Sequence, residues 1–176
     1  TEVFRQAATS QIIVNAHRIN QGQVPFTHTA EKSNDFYFIE SNTGEDIHSK
    51  IKHLVEKRIP RHFRLNPVRD IQVLTPMNRG NLGTHSLNQS LQQILNQKRH
   101  PAVERLGTQF LIGDKVIQKV NNYDKEVFNG DVGYIQDIDQ AQQELIIKFA
   151  DKTLTYDFNE LDEISLAYAM SIHKSQ

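Results

Sequence analysis

Two hydrophobic periods run along this chain, and the change from one to the other divides it. In the first half, apolar residues recur at helical spacing. Ile12, Ile13, Ala16 and Ile19 form a stripe that predicts a helix, with Thr9 or Ser10 to cap it and Gly22 to stop it. Gln23 to Asn34 is polar and aperiodic, a loop, and Asp35 to Glu40 (DFYFIE) is an aromatic-rich strand. Gly44 to Ile59 predicts a second helix, with Ile47, Ile51, Leu54, Val55 and Ile59 on one face, Thr43 and Asp46 as a capping pair and Pro60 as its end. Asp70 to Thr75 (DIQVLT) reads as a short core strand. It runs through Pro76-Met77-Asn78-Arg79-Gly80-Asn81-Leu82-Gly83 into a helix capped by Thr84, with Leu87, Leu91, Ile94 and Leu95 facing inward. Strand, glycine-bearing loop and helix in this order make a βα unit of an α/β domain.

Gln97 to Thr108 is basic and irregular, which marks a boundary. From Phe110 the period falls to two. Lys115–Val120, Asp131–Asp137, Leu145–Phe149 and Leu154–Phe158 read as strands, the last pair joined by a tight turn at Asp151-Lys152. Strands this short and this closely spaced predict a small antiparallel barrel inserted at 109–158 into an α/β domain made of 1–108 and 159–176. Leu166 to Met170 is a buried strand that re-enters the parallel sheet. It ends in Ser171, His173, Lys174, Ser175 and Gln176, at the carboxyl end of a strand where α/β sheets place their ligands. No Gly or Pro marks a natural end there, so the chain reads as a fragment cut inside or beside a functional motif.

Composition narrows the class. The chain has 176 residues and a net charge of −1. No apolar run approaches the roughly 20 residues of a membrane span. There is no cysteine, so disulfides and thiolate metal sites are excluded, which fits a cytoplasmic protein. The charge is unevenly spread: residues 61–120 carry nine Lys/Arg against three Asp/Glu, and residues 121–176 carry four against eleven. A basic middle segment is a candidate phosphate-facing surface, or else a solvated face offset by the acidic third. His48, His53 and His62 have neither the spacing nor the companions of a metal set, so no metal site is expected.

The chemistry-bearing residues fall in four places. Arg5 precedes the first helix. In the βα loop, Gly80 and Gly83 permit close backbone approach, and Thr75, Pro76, Asn78, Arg79 and Thr84 lie where a helix N-terminus favours an anion. Asn121, Asn122 and Tyr123 offer amides and a ring to phosphates and bases, while Asn129-Gly130 and Gly133 suit a turn and a bend. The fourth place is the C-terminal group, Ser171 to Gln176.

These blocks, FRQA, VLTPMNRG..GT..LN..LQ, NNY....VFNGD.G and AYA.SIHKSQ, stand in the order of motifs in superfamily-1 DNA helicases of the RecD-like type, the exodeoxyribonuclease V alpha subunit family, and nearly the whole chain resembles that family. Ser171 stands where the family usually has Thr. The resemblance implies a second RecA-like motor domain carrying an inserted SH3-like barrel, from an ATP-dependent helicase that moves 5′ to 3′ on single-stranded DNA in recombination and repair. It implies Arg5 as an arginine finger on the γ-phosphate. It implies Lys174, Ser175 and Gln176 on the nucleotide side, and Thr75, Pro76, Asn78, Arg79, Gly80, Thr84, Asn121, Asn122, Tyr123, Ser171 and His173 on DNA. ATP and Mg²⁺ would be held mainly by the first motor domain of the same protein, because no Gly-Lys-Ser/Thr loop or acidic Mg²⁺ motif is present here. The segment alone is therefore expected to hydrolyse no ATP. Expected partners are single-stranded DNA, that first motor domain and possible helicase–nuclease subunits, with no membrane. The competing expectation is a non-catalytic nucleic-acid-binding or assembly module.

Overall fold

The computed structural model describes residues 10–27 and 35–175, with side chains as far as His173. It divides into two units, 1–42 and 43–176.

In the first unit, α1 (Gln11–Asn20) starts at Ser10, whose own side chain makes no cap bond to the helix backbone. The cap comes from Asp35, which accepts from the Ser10 hydroxyl through Oδ2 and from the Gln11 N–H through Oδ1 at 2.8 Å. The expected stripe is not the buried face: Ile12 and Ile19 are 40% and 59% exposed, whereas Asn15 is 1% exposed. Asn15 holds the backbone of Phe26 from both sides, accepting from its N–H at 2.7 Å and donating to its carbonyl at 3.0 Å. Asp35 to Glu40 forms no strand. Its aromatic content suits a sheet, but sheet propensity reflects packing on a half-buried surface, and Tyr37, Phe38 and Ile39 are exposed.

The second unit mixes helices and sheets. Thr43 caps α2 (Gly44–His53) as the sequence predicts, accepting from the Asp46 N–H at 3.1 Å. Pro60 does not end the helical run. A π-turn at Leu54–Arg58 leads into α3 (Ile59–Phe63), and Ile59 N–H reaches back five residues to the Leu54 carbonyl. Pro60 falls in the first turn of α3, a position where proline's missing N–H and fixed φ are tolerated. The run stops at Arg64, which turns left-handed at φ 57°.

Strand β1 (Val73–Thr75) pairs in parallel with β9 (Ala169–Ser171), and α4 (Thr84–Leu95) packs on that pair. The N-cap of α4 is Gly83 rather than Thr84. Leu87 and Leu91 are buried, and Ile94 and Leu95 pack partly buried against the same core.

Residues 97–108 hold more order than expected. β2 (Ala102–Arg105) and β3 (Thr108–Leu111) form a hairpin whose turn, Leu106-Gly107, takes φ 50° and 77°. β4 (Lys115–Gln118), β5 (Val132–Asp139), β6 (Glu144–Lys148), β7 (Thr153–Asp157) and β8 (Ile164–Leu166) build an antiparallel sheet in the order β7-β6-β5-β4-β8. The sheet is open: its edge strands β7 and β8 do not pair. A 3₁₀ turn at Phe158–Glu163, pinned by buried Leu161, carries the chain from one edge to the other. The run expected as one strand, Leu166 to Met170, is split. Leu166 ends β8 on β4, and two residues later the chain turns to lie beside β1.

Candidate functional site

A cleft of about 680 Å³ opens in the second unit. One wall is α4, which presents His85, Gln89 and Gln93 at four-residue intervals, the spacing that puts side chains on one helical face. The facing wall is the β2–β3 hairpin, through Glu104, Thr108 and Gln109. Ser165 and Leu166 of β8 and Ala169 to Ser171 of β9 line it as well, as do Arg99 and Asn78. The lining is rich in amides and hydroxyls, with one guanidinium: groups that donate to phosphate and sugar oxygens and to base edges.

The cleft is shaped by a second face of α4. Asn88 and Gln92 of α4, and Asn96 at its C-cap, again four apart, are all buried. Asn88 clamps Ala169, accepting from its N–H and donating to its carbonyl, both at 2.9 Å. It covers the free edge of β9 as a neighbouring strand would. Gln92 Nε2 donates to the Gln109 carbonyl at 2.8 Å and to Asp114 Oδ2 at 2.7 Å. Asn96 Nδ2 donates to the Ile112 carbonyl at 2.9 Å and to Asp114 Oδ1 at 2.8 Å. Asp114 also accepts from the Leu111 N–H at 2.8 Å and the Tyr168 hydroxyl at 2.7 Å. Burial pushes the Asp114 carboxyl up from its ordinary value, against hydrogen bonds from Tyr168, Asn96, Leu111 and Gln92 that pull it down. The Tyr168 phenol is pushed well up, by burial first and then by the carboxylate it faces.

The βα loop is closed from inside. Thr75 is buried; its hydroxyl donates to the Leu82 carbonyl at 2.7 Å and accepts from the Met77 N–H at 3.2 Å. Gly83 N–H donates to the Gly80 carbonyl at 3.0 Å, and a Cβ on Gly83 would lie 2.7 Å from the Arg79 backbone. This leaves Pro76, Asn78, Arg79 and Gly80 as the exposed tip. His48 props the loop, donating from Nδ1 to the Asn81 carbonyl at 2.8 Å, with Nε2 2.9 Å from Ser90 Oγ.

Of the predicted DNA set, Asn78, Thr84 and Ser171 line the cleft. Ser171 Oγ accepts from the His173 N–H at 3.2 Å, and His173 itself is exposed. Asn121, Asn122 and Tyr123 do not line it; they sit in the loop between β4 and β5. There Asn122 is structural: its backbone bridges Val127 and its Nδ2 donates to Glu163 at 3.3 Å. Asn121 braces the turn by accepting from the Asn129 N–H at 2.9 Å. Tyr123 is 75% exposed and packs edge-on against Phe128 at 5.9 Å, an aromatic pair open to solvent. Arg5 and Gln176 lie outside the described residues, as do the side chains of Lys174 and Ser175. Among the described residues no group of three His, Asp or Glu gathers to hold a metal ion, and no helix is long and apolar enough to cross a membrane.

Sequence reasoning missed Gln89, Gln93, Arg99 and Asp114. For Gln89 and Gln93 the available signal was the four-residue spacing of amides along α4, offset by two positions from the leucines.

Residues 87–149 match the family model of the ATP-dependent RecD-like DNA helicase SH3 domain. The whole chain aligns with the ATP-dependent RecD2 DNA helicase of Deinococcus radiodurans at 31% identity, spanning 22% of that relative's length. The fold is similar to two solved structures. One is the Bacteroides Pif1 helicase in complex with ADP-AlF3 and single-stranded DNA, with TM-score 0.55, 14% identity, and 100% of this chain covering 42% of that one. The other is a Pif1 helicase from a study of unwinding at forked double-stranded DNA, with TM-score 0.54, 18% identity, and 100% of this chain covering 40% of that one. The family-model match and the alignment over the whole chain together make this chain a RecD-like helicase segment.

Proposed function

We propose that this segment is the second RecA-like motor half of an ATP-dependent 5′–3′ DNA helicase, with its small SH3-like sheet inserted, and that the cleft beside α4 holds single-stranded DNA. The cleft carries the reading: two walls of amides and hydroxyls face each other, with Arg99, Asn78, Thr84 and Ser171 among the lining. A single strand presents phosphates along one side and unpaired base edges along the other, and this mixture of donors and acceptors suits both. The parallel β1–β9 pair under α4 supports the motor-half assignment, because parallel pairing with a crossover helix is the construction of α/β nucleotide-driven domains. The exposed Tyr123–Phe128 pair is a second contact, stacking on a base away from the cleft.

In this reading Arg5, Lys174, Ser175 and Gln176 face the nucleotide. ATP and Mg²⁺, bound chiefly by the first motor domain of the same protein, supply the phosphoryl chemistry. Arg5 contributes fixed positive charge toward the transferred group, and the turn at Ile172–Ser175 continues directly from the cleft's lining at Ser171. Repair and recombination, alone or with nuclease subunits, is the setting.

The test is equilibrium binding of labelled oligo(dT) to the full-length protein across a salt series. Gln93→Ala and Arg99→Ala should each weaken binding about 3- to 10-fold, the range of one lost polar contact. Arg99→Ala should also lower the salt slope by about 0.7, the value for one lost phosphate contact on a single strand. Unchanged affinity and slope in both variants would remove the cleft from the DNA path.

A further inference from the structure

The two walls of the cleft belong to different parts of the fold, a helix on one side and a hairpin on the other, and beside the direct Gln92–Gln109 bond one carboxylate ties them together. Asp114 is 0% exposed, so it touches no ligand itself. Its Oδ2 takes Gln92 from α4 and the Leu111 N–H from the end of β3; its Oδ1 takes Asn96 from the C-cap of α4 and Tyr168. Tyr168 directly precedes Ala169, which Asn88 returns to α4. The result is a closed ring: α4, Asp114, Tyr168, Ala169, and α4 again. Four members of the ring or of its direct bonds, Asn88, Gln92, Gln109 and Ala169, are also lining residues of the cleft. A change in the ring therefore moves the surface that meets the ligand. All four groups bonded to the Asp114 carboxylate donate, which suits an ionised carboxylate and leaves no place for an amide's N–H₂.

We infer that Asp114 is a positioning residue that sets the separation of the cleft walls, and so the affinity for single-stranded DNA, through Gln92, Asn96 and Tyr168. This rests on the cleft being the DNA path. Asparagine at 114 keeps the shape but turns one acceptor into a donor. If its amide faces Tyr168, the hydroxyl can turn to accept, but Asn96 then meets a second donor and the link to the end of α4 opens. Tyr168→Phe is milder, because it leaves the other three donors in place.

The experiment is titration of the full-length protein with labelled oligo(dT), reading the dissociation constant and the binding stoichiometry separately. A rivet that only holds the fold together, when weakened, lowers the fraction of competent molecules and hence the stoichiometry, with the affinity of the remainder kept. A positioning residue does the reverse. Asp114→Asn should raise Kd about 10-fold and Tyr168→Phe about 3-fold, each with stoichiometry near wild type, since loosening a supporting shell costs affinity without unfolding. Unchanged Kd in both variants, or a loss of stoichiometry alone, overturns the inference. Gln93→Ala and Arg99→Ala separate the two levels. If they weaken binding while Asp114→Asn and Tyr168→Phe do not, the positioning role fails and the cleft stands. If they have no effect, the cleft itself is not the DNA path, and an effect at Asp114 would then have to act elsewhere.

Discussion

Replacing Asn88 by alanine tests whether a single side chain stands in for a missing strand. Among the described residues, β9 has β1 on one edge and Asn88 at Ala169 on the other. The substitution leaves a buried N–H and a buried carbonyl without partners, each costing about 1–3 kcal/mol. Ala169 is 1% exposed but lines the cleft, so water entering the vacated volume recovers part of that loss. The net expectation is about 2–4 kcal/mol, at the lower half of the summed range. For a chain of this size each kcal/mol corresponds to roughly 2–4 °C, so Tm should fall by about 4–16 °C.

Two measurements check it. Urea or thermal unfolding gives the total, and amide exchange at Ala169 gives the local effect, because that N–H loses its acceptor directly. Asn88→Asp sharpens the test. It is nearly isosteric and still accepts from the Ala169 N–H, but it sets a carboxylate against the Ala169 carbonyl, so it should destabilise at least as much as alanine despite the conserved shape. A loss below about 0.5 kcal/mol in both variants, within the range of ordinary surface substitutions, would refute the reasoning and show that solvent replaces the clamp without cost.

Two further outcomes follow from the same geometry. Gly83→Ala places a Cβ 2.7 Å from the Arg79 backbone, so the loop must open; a stability loss of about 1–3 kcal/mol on urea denaturation is expected, and a neutral result would mean the loop is not held closed. In the first unit, the Ser10 hydrogen bond, helped by the Gln11 N–H and opposed by desolvation, holds the Asp35 carboxyl below its ordinary value. Its contribution to α1 is therefore present above the unfolded pKa and is lost as pH falls through the lower folded value. Amide exchange at Gln11 should accelerate as pH falls through that window after correction for the intrinsic rate, Asp35→Asn should abolish the pH dependence, and a pH-independent wild type would remove Asp35 as the cap.

The small sheet was legible from the sequence because its strands alternate and its turns carry their usual residues. β6 and β7 fall within a residue of the expected bounds. The β2–β3 hairpin was not legible, because its two-residue turn holds Leu106 at positive φ, where Asn or Asp is the usual signal, and because Pro101 precedes it. Residues 166–170 read as one strand because every one of them is apolar or small; nothing in that run announces that Leu166 pairs with β4 and Ala169 with β1. The π-turn before Pro60 was hidden for a related reason. Proline ends most helices, and only the position of the preceding hydrogen bond shows that this one continues. Thr75 was legible as the end of the core strand and as a candidate ligand-facing residue, but its hydroxyl serves the backbone of the loop that follows.

Helix α4 shows why the candidate site was harder to read than the fold. Its leucines give the only face that hydrophobic spacing reports, yet the helix has two more. Asn88, Gln92 and Asn96 are buried without being apolar, so a hydrophobicity pattern assigns them to solvent. Their burial becomes intelligible only once the partners are known: a strand edge at Ala169, a hairpin carbonyl at Gln109 and a carboxylate at Asp114, all distant in sequence. A buried amide costs free energy unless its donors and acceptors are met, so three in register on one face imply fixed polar partners across from them. His85, Gln89 and Gln93 then face the opening those partners leave. The same four-residue interval thus yields a core face, a tethering face and a ligand face, and the tethering face determines where the ligand face points.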